Sequence, residues 1–372
     1  MKITIVQGAF LPVPPLMGGA VEKIWAGLGR EFARRGHEVT HISRLCLGLP
    51  PEETLDGVRH LRVRGADAPG SLVALKALDL LYSLRVRRIL PPADILVTHT
   101  FWLPMLVRGE RLGKLYVHAA RYPKGQMRFY AHAARIQTVS CPIRDAIIEE
   151  VPQLAAKVCC IPNPLPEAMA DLVPESKAPC EKILLYVGRI HPEKGLSLLL
   201  DAFAALPAAR REGWKLVLVG PAAAKYGGGG EAYLAGLQSQ AASLGGQVEW
   251  VGPVFDPAAL HAYYRQATLF IYPSLAEKGE TFGLAPLEAM AQGCPVVVSA
   301  LACFRDFIEP GVNGFVFDHR AADPVRTLAG LLGALMDDAP GREQAGARAL
   351  RTAEAFSLER IAGQYLDDFA SL

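Results

Sequence analysis

The sequence has no Cys-x-x-Cys pair, no run of about eighteen apolar residues, and no Gly-x-Gly-x-x-Gly opening a helix in the loop from Gly8 to Gly19. Its seven cysteines, at positions 46, 141, 159, 160, 180, 294 and 303, are scattered through apolar segments without partnering histidines. That distribution suits reduced thiols and disfavours a structural zinc or a disulfide framework. The lack of a long apolar run argues against a membrane span, and Met1-Lys2-Ile3-Thr4-Ile5-Val6-Gln7 turns directly into a Gly/Pro loop, as a first core strand does and a signal peptide does not. A cytoplasmic protein is expected. The missing glycine fingerprint sets aside a dinucleotide oxidoreductase. Nucleic-acid binding is set aside because the net charge is only +2 and no binding module is recognisable.

What is present fits a two-domain enzyme. A chain of 372 residues exceeds what one core usually supports, and 51% hydrophobic residues can fill two, while 20% charged residues exclude a disordered chain. Charge is uneven: residues 1–165 carry 22 Lys/Arg against 13 Asp/Glu, and residues 166–372 carry 17 against 24. A basic first half can face anionic lipid or an anionic acceptor; it is also what solvated helix faces give by scatter.

Apolar β-branched runs alternate with helical patterns, as βαβ units require. Strands are expected from Lys2, Glu38, Val58, Ile95, Lys114, Ile136 and Val158, then from Lys182, Lys215, Gln247, Leu269, Pro295 and Gly314. Helices are expected over Ala20–Arg35, Leu72–Leu90, Leu196–Leu206, Glu231–Leu244, Pro257–Gln266 and Val325–Met336. The five prolines between Pro162 and Pro179 mark an interdomain connection. This gives an α/β chain with a first domain over 1–165, a linker over 166–181, a second domain over 182–356 and a final helix within 357–372. The apolar face of Leu72–Leu90 reads as core; with Arg85, Arg87 and Arg88 near its end, the helix also fits a membrane surface.

The most telling stretch runs from Glu280 to Ser299. Gly279 and Gly283 allow a tight loop, Leu284 to Ala291 read as a buried helix, Gly293 stops it, and Val296 to Val298 form a buried strand. A loop feeding a helix start presents backbone N–H groups, so Phe282, Gly283 and Leu284 are candidate donors to an anion or to sugar oxygens. Glu280 stands at the loop mouth; Glu288 lies about one turn inside the helix, where a carboxylate can accept from a vicinal diol. Taken alone, each is equally a solvated charge. Arg189 and Lys194, flanked by Gly188 and Gly195 after a strand, can reach one pyrophosphate.

The stretch from Glu280 to Glu288 resembles the Glu-x7-Glu signature of the retaining glycosyltransferase family 4. Gly18-Gly19-Ala20-Val21-Glu22 and Arg35-Gly36-His37-Glu38-Val39-Thr40 resemble that family's opening, and Gly188-Arg189-Ile190-His191-Pro192-Glu193-Lys194-Gly195 its phosphate-binding segment. The resemblance implies a GT-B fold: two Rossmann-like domains whose parallel sheets face a central cleft, the second holding a nucleotide-sugar donor, the first an acceptor, and the final helix packing back on the first. It implies retaining transfer without a metal, consistent with the lack of an Asp-x-Asp at any strand end. No separate cofactor is expected; the donor, a UDP-sugar foremost, is a substrate.

By the same resemblance Glu280 meets the donor sugar hydroxyls, Glu288 the ribose diol, Arg189 and Lys194 the diphosphate with help from the amides of Gly18 and Gly19, and His118 the donor sugar. A His at a strand end is also a common structural group, and His99 matches a family position with a structural role at least as fitting. Arg121, Lys124 and Arg128 form a compact basic loop expected to contact an anionic acceptor or the donor phosphates, or to be a plain surface turn. Cys303-Phe304-Arg305-Asp306 departs from the family's Gly-Gly and following Glu, and Tyr226-Gly227-Gly228-Gly229-Gly230 reads as a loose surface loop or as one that closes over the nucleotide. The expected product is a glycan, glycolipid or small-molecule glycoside, with cell-surface polysaccharide or glycoconjugate synthesis the commonest use and a peripheral place at the inner membrane face. A sugar-nucleotide epimerase or hydrolase of the same fold, or a non-catalytic nucleotide-binding partner subunit, are the alternatives.

Overall fold

A computed structural model describes residues 1–17, 19–166 and 182–372. The chain divides into two compact units, one formed by Met1–Pro166 with Ser357–Leu372 and the other by Glu167–Phe356. Most of the expected linker, 166–181, and Gly18 lie outside the described residues.

The first unit is built on eight strands: β1 (Lys2–Val6), β2 (Glu38–Leu45), β3 (Glu52–Leu55), β4 (Val58–Arg64), β5 (Ile95–Thr98), β6 (Lys114–Ala119), β7 (Arg135–Thr138) and β8 (Val158–Cys160). They lie in the order β3-β4-β2-β1-β5-β6-β7-β8 and are parallel except at the β3–β4 edge. That antiparallel edge departs from the expected all-parallel sheet. Its cause is Asp56-Gly57, whose φ values of 51° and 77° make the two-residue turn that joins a right-twisted hairpin. Between strands run α1 (Ala20–Arg34), α2 (Leu72–Ile89), α3 (Leu103–Leu106) and α4 (Cys141–Glu150). The order reverses between β1 and β5, so the carboxyl ends of these strands flank a topological switch point.

The second unit holds six parallel strands: β9 (Ile183–Val187), β10 (Lys215–Val219), β11 (Val248–Gly252), β12 (Leu269–Tyr272), β13 (Val296–Ser299) and β14 (Phe315–Phe317). Their order is β11-β10-β9-β12-β13-β14, a doubly wound sheet with its switch point between β9 and β12. The helices are α5 (Leu196–Ala204), α6 (Ala208–Arg211), α7 (Glu231–Gln240), α8 (Pro257–Gln266), α9 (Leu284–Ala291), α10 (Pro324–Asp337) and α11 (Ala339–Ala353). Strands β9, β10, β12 and β13 are apolar on both faces and buried almost throughout, as sheets covered by helices on both sides must be.

The C-terminal helix, Leu358–Ala370, belongs to the first unit. Ser357 caps it, its hydroxyl accepting from the Arg360 amide at 3.3 Å. Tyr365, 1% exposed, sets its ring edge-on to Trp25 at 5.1 Å and lies near Phe32 and Tyr116. Asp368 accepts from the Tyr116 hydroxyl at 2.8 Å and pairs with Arg135 at 2.7 Å. Burying a Tyr among aromatic edges contributes transfer energy plus packing that Ala cannot replace. Tyr365→Ala is therefore expected to destabilise the first unit by about 3–5 kcal/mol, read as a lower urea midpoint of the transition that exposes Trp25.

Candidate active site

A buried polar arrangement of the second unit sits at the carboxyl ends of β9, β12 and β13, beside the switch point. Two backbones cross there at very short range. A Cβ on Gly220 would lie 1.9 Å from the Gly188 carbonyl oxygen, and one on Gly195, at φ +70°, 2.0 Å from the Pro273 oxygen. Only glycine fits at either place, and the second contact fixes the short turn Pro192–Lys194 against the end of β12.

That turn drives Lys194 inward. Its ammonium lies 2.7 Å from Glu280 Oε2, with Lys194 6% and Glu280 9% exposed, and 5.3 Å from the centre of the Tyr272 ring. Tyr272 stacks on Tyr186 at 5.9 Å, and burial followed by the Glu280 charge pushes the Tyr272 hydroxyl well above its ordinary pKa. Glu280 is held at the backbone as well, its amide donating to the Ala276 oxygen at 2.9 Å. The two residues expected on phosphate and on sugar hydroxyls thus meet each other.

Arg189 is also engaged. Its guanidinium donates to the Gly227 carbonyl at 2.6 Å and to Glu193 Oε1 at 2.9 Å, while Gly229 donates to the Ile190 oxygen at 2.8 Å. The glycine run expected to be a loose loop is therefore tied to the segment that carries Arg189. The reason is local: Gly227, at φ +76°, turns its carbonyl to the guanidinium.

Gly283, at φ +93°, is the N-cap of α9 and supplies no side-chain cap. A Cβ there would meet the Phe304 ring at 2.4 Å. The Cys303-Phe304-Arg305-Asp306 departure thus forms a short 3-10 turn whose aromatic ring fills the space above the glycine. The Phe282 side chain is core, 2% exposed and packed on Phe307 and Phe356, so only its backbone remains for the loop; Leu284 opens the helix, half-buried. Glu288, one turn on, accepts from the Tyr264 hydroxyl at 3.0 Å.

The first unit carries its own cluster. Gly19 is the N-cap of α1, and Glu22 folds back so that its carboxylate occupies the space a Cβ on Gly19 would need. Burial raises the Glu22 pKa, opposed by its own backbone N–H and by Arg121. A carboxylate thus already covers the helix end that was expected to help a diphosphate.

His118, next to last in β6, has its ring 5.3 Å from Trp25 and 4.8 Å from His99. Its Nδ1 is 2.5 Å from Gln137 Oε1, and the Gln137 amide nitrogen donates to the carbonyls of Thr138 and Ile161 at 2.6 and 2.7 Å. Two backbone acceptors fix the amide orientation, so Oε1 can only accept and Nδ1 must carry the proton. His118 Nε2 is left with a lone pair. Burial holds the imidazole neutral, its pKa down at about 4. His99 Nδ1 lies 2.9 Å from the Val6 carbonyl, a backbone anchor. Gln137 was not singled out in the sequence; a polar side chain in the short strand before Ser140 was the available signal.

Arg121, Lys124 and Arg128 are exposed. The loop between them is anchored by Glu150, which accepts from the amides of Gly125 and Met127 at 2.8 and 3.2 Å. Arg121 faces Glu22, and Arg128 lies over the Phe129 ring at 4.9 Å.

Residues 169–351 match the model of the family "Glycosyl transferases group 1". Just under half of the chain is therefore similar to this family. The chain is 31% identical over 189 residues to the lipopolysaccharide core biosynthesis mannosyltransferase LpsB of Rhizobium meliloti (strain 1021), covering 50% of each chain. Over 88% of its length it is 29% identical to a D-inositol 3-phosphate glycosyltransferase of Kineococcus radiotolerans, covering 85% of that protein. The chain spans about half the length of the first curated relatives it matches, 50% of one and 52% of another. Among solved structures, Anabaena HepE in complex with UDP superposes over 100% of both chains with a TM-score of 0.73 at 19% identity. The fold is GT-B.

Two outcomes follow from this geometry. Removing one member of a buried ion pair leaves an uncompensated charge, so Lys194→Met is expected to cost about 3–5 kcal/mol; chemical unfolding of the single and double variants with Glu280→Gln will show coupling between the two sites. The second concerns pH. Burial holds His41 at about 3 and His60, stacked on it at 5.7 Å, at about 4, with His118 also near 4. The unfolded chain, titrating near 6.5, binds more protons than the folded one between about pH 4 and 6.5. Stability is complete above pH 6.5 and falls as pH drops through that window, by about 1.4 kcal/mol per unit for each histidine kept neutral; melting temperature against pH measures it.

Proposed function

We propose that this protein is a retaining, metal-independent glycosyltransferase that moves a sugar from a nucleotide-sugar donor, a UDP-sugar foremost, to a glycan, glycolipid or small-molecule acceptor in cell-surface polysaccharide or glycoconjugate synthesis. The observation that carries the reading is the buried Lys194–Glu280 pair, set beside the glycine-capped start of α9 at the switch point of the second sheet. The UDP bound by Anabaena HepE and the sugar transfer named for the Rhizobium and Kineococcus relatives support it.

In this reading the second unit binds the donor and the first the acceptor, with residues 166–181 linking them and the C-terminal helix serving the first. Lys194, with Arg189 once freed from Gly227, neutralises the diphosphate; the amides of Phe282, Gly283 and Leu284 add fixed dipoles. Glu280 accepts from sugar hydroxyls and orients Lys194, and Glu288 accepts from the ribose. His118 accepts a hydrogen bond from a donor-sugar hydroxyl through Nε2, a role its neutral, Gln137-fixed form suits. The amides of Gly18 and Gly19 aid the diphosphate, that of Gly19 once Glu22 yields, and Arg121, Lys124 and Arg128 meet an anionic acceptor. The acceptor oxygen bonds to the anomeric carbon on the face from which the diphosphate leaves; the C–O bond to that diphosphate breaks, and its oxygen takes the acceptor proton.

No helix among the described residues is long and apolar enough to cross a membrane, and we place the protein in the cytoplasm, at the inner membrane face where lipid-linked acceptors are glycosylated.

Incubation with UDP-, GDP- and ADP-sugars and a panel of glycan acceptors is expected to give transfer with retained configuration, undiminished by EDTA. Glu280→Gln and Lys194→Ala, verified as folded, should lower kcat about 10²–10³-fold. Rates equal to the parent's would remove the reading, and donor isomerised or hydrolysed without acceptor would establish the epimerase or hydrolase instead. Binding of donor without any turnover would identify a non-catalytic subunit.

A further inference from the structure

Helix α2 leaves a row of apolar side chains exposed. Its buried positions are Asp79, Tyr82, Ser83 and Val86, whereas Leu72, Val73, Leu81, Leu84 and Ile89 are 70, 80, 48, 37 and 38% exposed. The expected apolar core face is there in part, with Tyr82 and Val86 buried and Leu75, Leu78 and Leu80 half-buried, but a second apolar row stays outside, and the cause lies in polar anchors. Asp79 accepts from the amides of Phe101 and Trp102, both at 3.1 Å, and so covers the start of α3; the Trp102 indole donates to the Lys76 carbonyl at 2.9 Å. Rolling the helix to bury its leucines would break all three bonds and strand a carboxylate. The orientation is fixed, and Leu72, Leu81 and Leu84 stay outside.

Val73, Ala77, Leu81 and Leu84 recur every three or four residues and fall in one outward stripe. Asp79 is the helix's one acidic residue and it points inward, so the stripe carries no negative charge. At its end stand Arg87 and Arg88, both exposed, and among the described residues neither forms an ion pair. Arg85 is held by the Arg64 carbonyl at 2.7 Å. The stripe also lies in the half of the chain where Lys and Arg outnumber Asp and Glu by 22 to 13.

We infer that the exposed face of α2 docks on an anionic lipid bilayer, with Val73, Leu81 and Leu84 entering the headgroup boundary and Arg87 and Arg88 meeting lipid phosphates. A row of apolar side chains ending in two exposed cations, with no acidic residue on that face of the helix, matches the interfacial layer of such a membrane. The inference builds on the glycoconjugate reading, giving the enzyme a surface from which a lipid-linked acceptor is reached, yet its test does not require transfer.

The full chain is mixed with vesicles of phosphatidylcholine alone or with about a third phosphatidylglycerol and floated on a density gradient. The parent is expected to float with the anionic vesicles and not with the neutral ones. Leu81→Glu/Leu84→Glu and Arg87→Glu/Arg88→Glu should each weaken flotation at least tenfold, with an unchanged thermal melt and unchanged transfer to a soluble acceptor. Flotation equal to the parent's in both variants, or none in the parent, overturns the inference. A concentration-dependent dimer abolished by Leu81→Glu/Leu84→Glu also overturns it, since a second copy would then cover the stripe. If the parent floats but transfers nothing, the enzymatic reading falls and the docking surface stands.

Discussion

The contact between Lys194 and Glu280 governs the chemistry available to the second unit. Two opposite charges, each more than nine-tenths buried, are stable only where geometry is tight and desolvation is offset. The close approach of Gly195 to Pro273 and of Gly220 to Gly188 provides that geometry, since any side chain at either glycine would push the turn away from the strand end. The aromatic stack of Tyr186 and Tyr272 supplies the low-polarity wall behind it. A pair held in such surroundings is preorganised: the ammonium has donors left for an arriving anion, and the carboxylate has lone pairs left for hydroxyls.

The first unit achieves a different kind of order. Gln137 spends both amide protons on backbone carbonyls and so dictates the tautomer of His118, a role that depends on which atoms face which, not on residue type. Burial then keeps the imidazole uncharged beside Trp25 and His99. Glu22, folded over the start of α1, gives the same unit a carboxyl whose charge burial opposes. Polar groups in this core act by fixing protons, whereas those of the second unit act by fixing charges.

Much of the fold was legible because strand and helix periods are local. The alternation of apolar runs located the β1, β2 and β9 to β13 regions, and glycines flanking Arg189, Lys194 and Glu280 marked the loops that carry them. The pairing of Lys194 with Glu280 was not legible, because 86 residues separate them and only the folded sheet brings them together. The β3–β4 hairpin was overlooked although Asp56-Gly57 announced it, since Glu52–Leu55 is a short, largely exposed edge with little apolar signal. For α2 the pattern left two readings open: leucine spacing indicates which residues share a face, while the direction of that face is set by Asp79 and Trp102.

The helix Leu358–Ala370 completes the first unit only after residues 167–356 have been made, so the second unit is an insertion in the first. During synthesis Trp25, Tyr116 and Phe32 leave the ribosome long before the helix that buries them, and the first sheet must wait with an uncovered aromatic surface. The second unit, contiguous in the chain, is free to fold ahead of it. Vectorial synthesis therefore inverts the order of maturation: of the two units, the one whose strands are made first is the last to close.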